Sequence, residues 1–101
     1  MHFTSPQIDF RLKFFQEETM KITLYKSALC PRCHAVQTML DEITAEHPDL
    51  QVEQVDILAS PLRALRAGVH MIPTLDAGKA RLSMIMPTRR KVQTFLQKNG
   101  L

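Results

Sequence analysis

The sequence predicts an α/β domain whose elements run β-α-β-α-β-β-α along the chain. Three observations carry that expectation. A short alternating segment at 21–26 leads almost at once into a long stretch with a single apolar helical stripe. A second β-rich segment follows at 50–57. Two strands joined through a helix in this way are expected to lie parallel, with a right-handed crossover. Two further short strands flank Gly78-Lys79, a hairpin signal, so the last pair is expected to be antiparallel.

KITLYK (21–26) sets Ile22 and Leu24 between polar neighbours and is β-rich. PRCHAVQTMLDEITAEH then carries Val36, Met39, Leu40 and Ile43 at offsets 0, 3, 4 and 7, one face of a helix. Pro48 stops it, because the residue before a proline is pushed out of the helical region. LQVEQVDI (50–57) reads as a strand with Leu50 and Val52 on one face and an irregular end. SPLRALRAG (60–68) is a short helix with Ser60 as N-cap, Pro61 at the first helical position and Gly68 as a left-handed C-cap. TLDA (74–77) and ARLSMIM (80–86) are the hairpin strands. PTRRKVQTFLQKNG closes the chain as a helix capped by Thr88, with Val92, Phe95 and Leu96 facing inward.

Residues 1–19 read two ways. IDFRLKFF alternates like a strand, whereas Ser5-Pro6 followed by Ile8, Leu12 and Phe15 suits a capped helix. Met20-Lys21-Ile22 looks like a natural beginning, so 1–19 is taken as an N-terminal arm and 20–101 as the domain. The 101 residues suffice for one domain with a modest core. Hydrophobic residues at 45% and charged residues at 23% are ordinary for a soluble globular protein. No apolar run is long enough to span a bilayer. Asp9, Arg11 and Lys13 interrupt the stretch that a signal peptide would keep apolar, so a cytoplasmic protein is expected, without membrane partners. A net charge of +3, no Trp and one Tyr argue against nucleic acid as a partner.

The only two cysteines stand together in LCPRCH (29–34). A disulfide between them closes a very small loop and stabilises little. In a reducing compartment such a pair points to catalysis more than to structure. Cys30 follows a strand and opens a helix, where unpaired N–H groups and the helix dipole favour a thiolate. Arg32, between the sulfurs, adds positive charge. Cys33 lies one turn into the helix, nearer the interior, and should hold its proton longer. That asymmetry makes Cys30 the attacking thiol and Cys33 the resolving one. The letters C-x-x-C-H also match a haem-attachment pattern, but Pro31 stiffens the loop without being required for haem, and the strands predict a sheet around the motif where a c-type domain needs helices. A structural zinc site wants four ligands, and His34, His47 and His70 form no paired motif. Pro73 in GVHMIPTL (68–75) reads either as a strand-edge proline or as a cis-proline presenting the backbone of Ile72 to the dithiol.

The strand–CPRC–helix unit and the later MIPTL resemble the thioredoxin/glutaredoxin superfamily over residues 20–99. The resemblance implies a thioredoxin-like fold, a four-stranded mixed sheet with helices on both faces. It also implies that Cys30 is the nucleophile, Cys33 the resolving cysteine and Pro73 the cis-proline, with the Ile72 backbone pairing to an extended substrate segment. Leu29 before the first cysteine and Pro31 after it resemble glutaredoxin more than the W-C-G-P-C of thioredoxin. The Gly-Gly that follows the glutaredoxin hairpin is replaced by Ile85-Met86-Pro87-Thr88, which counts against glutathione binding of that kind. Lys26 sits one position from the usual glutaredoxin lysine, so that role is not carried over. Arg89, Arg90 and Lys91 open the last helix against its dipole. They read either as a solvated face or as an anion-attracting rim beside the dithiol.

The expected function is a monomeric thiol–disulfide oxidoreductase working through a mixed disulfide. Its substrate is a disulfide-containing protein or a glutathione mixed disulfide, and an upstream reductase or thiol restores the dithiol. Pro31, Arg32, Ile72, Pro73 and Arg89 are the expected substrate-binding residues, and neither cofactor nor metal is required. The alternative is a non-catalytic module holding a metal or an iron–sulfur cluster through the same cysteines. A visible spectrum and a metal assay on untagged protein separate the two. The redox dithiol gives neither visible bands nor stoichiometric metal, whereas haem, a cluster or zinc gives one or the other.

Overall fold

A computed structural model of the chain describes residues 20–101. The elements are β1 (Met20–Lys26), α1 (Pro31–Glu46), β2 (Leu50–Asp56), α2 (Pro61–Arg66), β3 (Thr74–Asp76), β4 (Arg81–Ser83) and α3 (Arg89–Lys98), in the expected order. The strand and helix readings of residues 1–19 both lie outside the described residues. Among the described residues no helix is long and apolar enough to cross a membrane.

The four strands form one mixed sheet in the order β2-β1-β3-β4. β1 runs parallel to β2, with Ile22 opposite Val52 and Tyr25 opposite Val55. β3 lies antiparallel to β1, and β4 antiparallel to β3. One geometric consequence matters for function. β1 and β2 end at the same edge of the sheet where β3 begins and β4 ends, so the segments 27–30, 57–60, 70–73 and 84–88 all emerge at one end.

Alternation along β1 divides the apolar residues between two cores, because successive strand side chains point to opposite faces. Ile22 and Leu24 meet Val36, Leu40 and Ile43 of α1, Val92, Phe95 and Leu96 of α3, and Leu75 of β3. Tyr25 turns the other way and packs with Val55, Ala64 of α2 and Val69. The irregular end of the second strand is thereby explained: Leu50 serves the first core and Val55 the second. A bidentate ion pair from Arg63 to Glu53, at 2.8 and 2.7 Å, ties α2 down on its face.

Element ends follow local chemistry, with two departures from expectation. Thr88 caps α3 by accepting the Lys91 N–H at 3.1 Å, and Gly68 takes the left-handed conformation after α2 with φ +74°. Ser60 precedes α2 as its N-cap residue but makes no side-chain capping bond. β4 covers only Arg81–Ser83, shorter than the expected 80–86. Its pairing partner β3 is only three residues long. Met84 N–H still reaches the Pro73 carbonyl at 3.0 Å, but beyond it Ile85 and Met86 lie exposed. Leu24, fully buried in the central strand, should lose about 3 kcal/mol of stability on Leu24→Ala, while the exposed Leu62→Ala stays within about 0.5 kcal/mol; urea unfolding measures both.

Candidate active site

The turn after β1 is built by Ser27. Its carbonyl accepts the Cys30 N–H at 3.2 Å, and its hydroxyl accepts the Leu29 N–H at 3.3 Å. This turn delivers Cys30 to the N-cap of α1 in an extended conformation, and Pro31 fills the first helical position. Proline suits that place because its missing N–H would have no helical partner. The Cys30 Sγ folds back and accepts the Cys33 N–H at 3.1 Å. A sulfur therefore does the work usually done by a serine or aspartate oxygen.

This back-folding accounts for an unexpected degree of cover. A cysteine at a helix start looks poorly placed for burial, yet Cys30 is only 9% exposed, while Leu29 beside it is 86% exposed. Cys33 is 1% exposed and lines the interior side of the helix. Both cysteines are free thiols.

The two thiols are driven apart electrostatically. Burial on its own raises Cys30, but hydrogen bonds from the Cys33 thiol and N–H and from Arg32, with the charge of Arg32, outweigh it and hold Cys30 below an ordinary thiol. Burial pushes Cys33 up to about 11, helped by its bond to Cys30 and the negative charge there; the Ser27 backbone and Arg32 oppose this only in part. No acidic side chain occupies the first turn of α1, so no carboxylate competes for its positive end.

Arg32 also reaches across the site. Its guanidinium donates to the Ile72 carbonyl at 3.5 Å, joining the dithiol loop to the segment before β3. The Ile72–Pro73 peptide bond is cis, and Pro73 is fully buried. The structure thus brings Cys30, Cys33, Pro31, Arg32, Ile72 and Pro73 into one neighbourhood. The Arg89 guanidinium is directed further along α1. Arg89 pairs with Glu42 of α1, twelve positions after Cys30 and so roughly 18 Å along the helix at its usual rise. Lys91 donates to the Met86 carbonyl at 3.0 Å. Two of the three cations opening α3 therefore have partners, Arg89 in Glu42 and Lys91 in the Met86 carbonyl.

His34, His47 and His70 are all exposed. Among the described residues no group of three or more His, Cys, Asp or Glu could hold a metal ion. Sequence reasoning passed over Ser27, whose place three residues before the cysteine at a strand end is the available signal of a serine turn.

The chain matches the thioredoxin family model over residues 4–97. It belongs to the thioredoxin family. A thioredoxin of Methanocaldococcus jannaschii is 33% identical over 57 residues, which is 55% of this chain and 67% of that protein. Among solved structures, thioredoxin O2 from Arabidopsis thaliana in its oxidized state superposes with TM-score 0.68 at 16% identity, covering 95% of this chain and 89% of the other. Mitochondrial thioredoxin 3 from Saccharomyces cerevisiae, also oxidized, gives 0.65 at 18% identity, with 91% and 89% covered. These likenesses establish the thioredoxin-like α/β fold, with its four-stranded mixed sheet, for this member of the family.

The two thiols of this thioredoxin-family dithiol should titrate separately. Alkylation of reduced protein by iodoacetamide, followed by mass spectrometry, should show Cys30 reacting with a midpoint below the ordinary thiol value of 9.0 and Cys33 with one near 11. Arg32→Ala should move the Cys30 midpoint upward, because a cation and a donor to the thiolate are lost.

Proposed function

We propose that this protein is a dithiol–disulfide oxidoreductase acting on protein disulfides. The observation that carries the reading is the placement of its two free thiols, Cys30 at the helix start with its sulfur accepting the Cys33 N–H and Cys33 buried one turn further in, which shifts the first down and the second up. The Cys30 thiolate attacks one sulfur of a substrate disulfide and expels the other as a thiolate, leaving a mixed disulfide through Cys30. Cys33 then loses its proton and attacks the Cys30 sulfur. The substrate leaves fully reduced, and the enzyme holds a Cys30–Cys33 disulfide that carries the two-electron oxidation. An upstream reductase or thiol returns those electrons, in a reducing compartment such as the cytoplasm.

Two features favour a protein substrate over glutathione. The exposed large apolar residues include Leu29, Leu58, Ile85 and Met86, which stand on three of the four segments emerging at the dithiol end of the sheet. Beside Ile72 lies an apolar groove of about 360 Å³ lined by Ile57, Pro61, Ala64, Leu65 and Val69. Exposed apolar surface concentrated around a reactive group marks contact with another macromolecule. A small, highly charged tripeptide would make little use of it. In this reading an extended substrate segment pairs with the Ile72 backbone, displacing the long bond from Arg32, while Pro31 and Pro73 shape the floor.

Reduction of insulin by a thiol donor tests the assignment. Cys30→Ser should lose turnover down to the uncatalysed background, and Cys33→Ser should accumulate a mixed disulfide visible as a mass adduct. Turnover by Cys30→Ser at the wild-type rate would overturn the reading.

A further inference from the structure

A second concavity lies on the α2 side of the sheet, at the end away from the dithiol. There β3 closes at Asp76, the turn Gly78-Lys79 follows, β4 opens at Arg81, and α2 finishes nearby at Arg66. With Ala67, Gly68 and Ala80 these residues line a cleft of about 700 Å³, within the roughly 300–1,000 Å³ usual for small-molecule sites.

The charge in this cleft is one-sided. Arg66, Lys79 and Arg81 face a single carboxylate, Asp76, whose Oδ1 already accepts the Gly78 N–H at 2.7 Å. Outside the cleft, Arg63 pairs with Glu53 and Arg89 with Glu42, while Arg32 and Arg90 have no carboxylate partner among the described residues. Among the described residues, none of the three cleft cations has such a partner. The case of Arg81 is the most telling. Asp76 stands directly opposite it in the β3–β4 register, yet the Arg81 guanidinium lies over Gly68. The nearest atom to a Cβ built at position 68 would be Arg81 Nη1, so the glycine that the left-handed turn requires also leaves room for the guanidinium there.

Each cation has an ordinary local reason. Arg66 suits the last turn of a helix, Lys79 an exposed turn and Arg81 an edge strand. None of those reasons requires that the three, from separate parts of the chain, line one concavity. We propose that this cleft is an anion site for phosphate-bearing small molecules, with the two guanidinium forks taking phosphate oxygens and Lys79 adding a point charge. The site is separate from the dithiol and does not depend on the redox reading.

Titration of the full-length reduced protein with inorganic pyrophosphate, followed by ¹⁵N–¹H NMR at constant ionic strength, tests it. Saturable shifts are expected at Gly68, Gly78 and Ala80, with Cys30 and Cys33 unmoved. The double variant Arg66→Ala/Arg81→Ala should weaken binding at least about tenfold, while keeping its melting temperature and disulfide reduction. Arg90→Ala, which removes charge elsewhere, should leave the affinity unchanged. A parallel titration with AMP and ATP names the ligand. Tighter nucleotide binding through the same amides supports a nucleotide occupant, and equal binding supports the phosphate alone. The proposal is overturned if pyrophosphate shifts no cleft amide, if the double variant binds as wild type does, or if Arg90→Ala weakens binding as much.

Discussion

The bond from the Cys33 N–H to the Cys30 sulfur, at 3.1 Å, is the contact on which the chemistry of this molecule depends. A helix start leaves N–H groups without partners, and here one of them is spent on a sulfur. The same bond that caps α1 adds to the Cys33 thiol and Arg32 in lowering the proton affinity of Cys30, while burial keeps the proton on Cys33 behind it. Folding and reactivity are thus coupled at a single point. The helix needs an acceptor at its first turn, and the acceptor supplied is the thiol that is held below its ordinary value.

The rest of the fold serves that point by topology. A parallel pair flanked by an antiparallel strand and hairpin sends four chain segments out of one end of the sheet. Through this convergence the Ile72 carbonyl meets Arg32 although the two residues are forty positions apart. The two cores on opposite faces hold the arrangement rigid, one under α1 and α3 and one under α2. The opposite end of the sheet is free of this duty, and there Arg66, Lys79 and Arg81 line one cleft.

Much of this was readable along the chain because it rests on short-range rules. Alternation found β1, spacing found the stripe of α1, and Thr88, Pro61 and Gly68 marked ends that the structure keeps. The position of Cys30 ahead of a helix followed from the same rules. Where the reading went astray, a distant partner decided. β4 is cut to three residues because β3 offers no longer edge to pair with, and no local pattern in ARLSMIM records the length of another strand. Arg89 read either as a solvated face or as a rim cation, and its partner Glu42 lies on a helix that sequence separation makes remote. Cys30 looked poorly placed for burial because it starts a helix, yet it is buried, with its side chain folded back on the Cys33 N–H.

By itself, the sequence determined the elements, their order, the dithiol and which of its sulfurs opens the helix, since propensity, periodicity and capping act within a few residues. The tertiary structure alone decided how far Arg32 reaches, which carboxylate Arg89 meets, that the cations of separate parts of the chain line one cleft, and how strongly burial and neighbouring charge act on each thiol. Those outcomes depend on burial and on charges separated by long stretches of chain. Coulombic and desolvation energies are set by distance in space, which a linear order of residues does not specify.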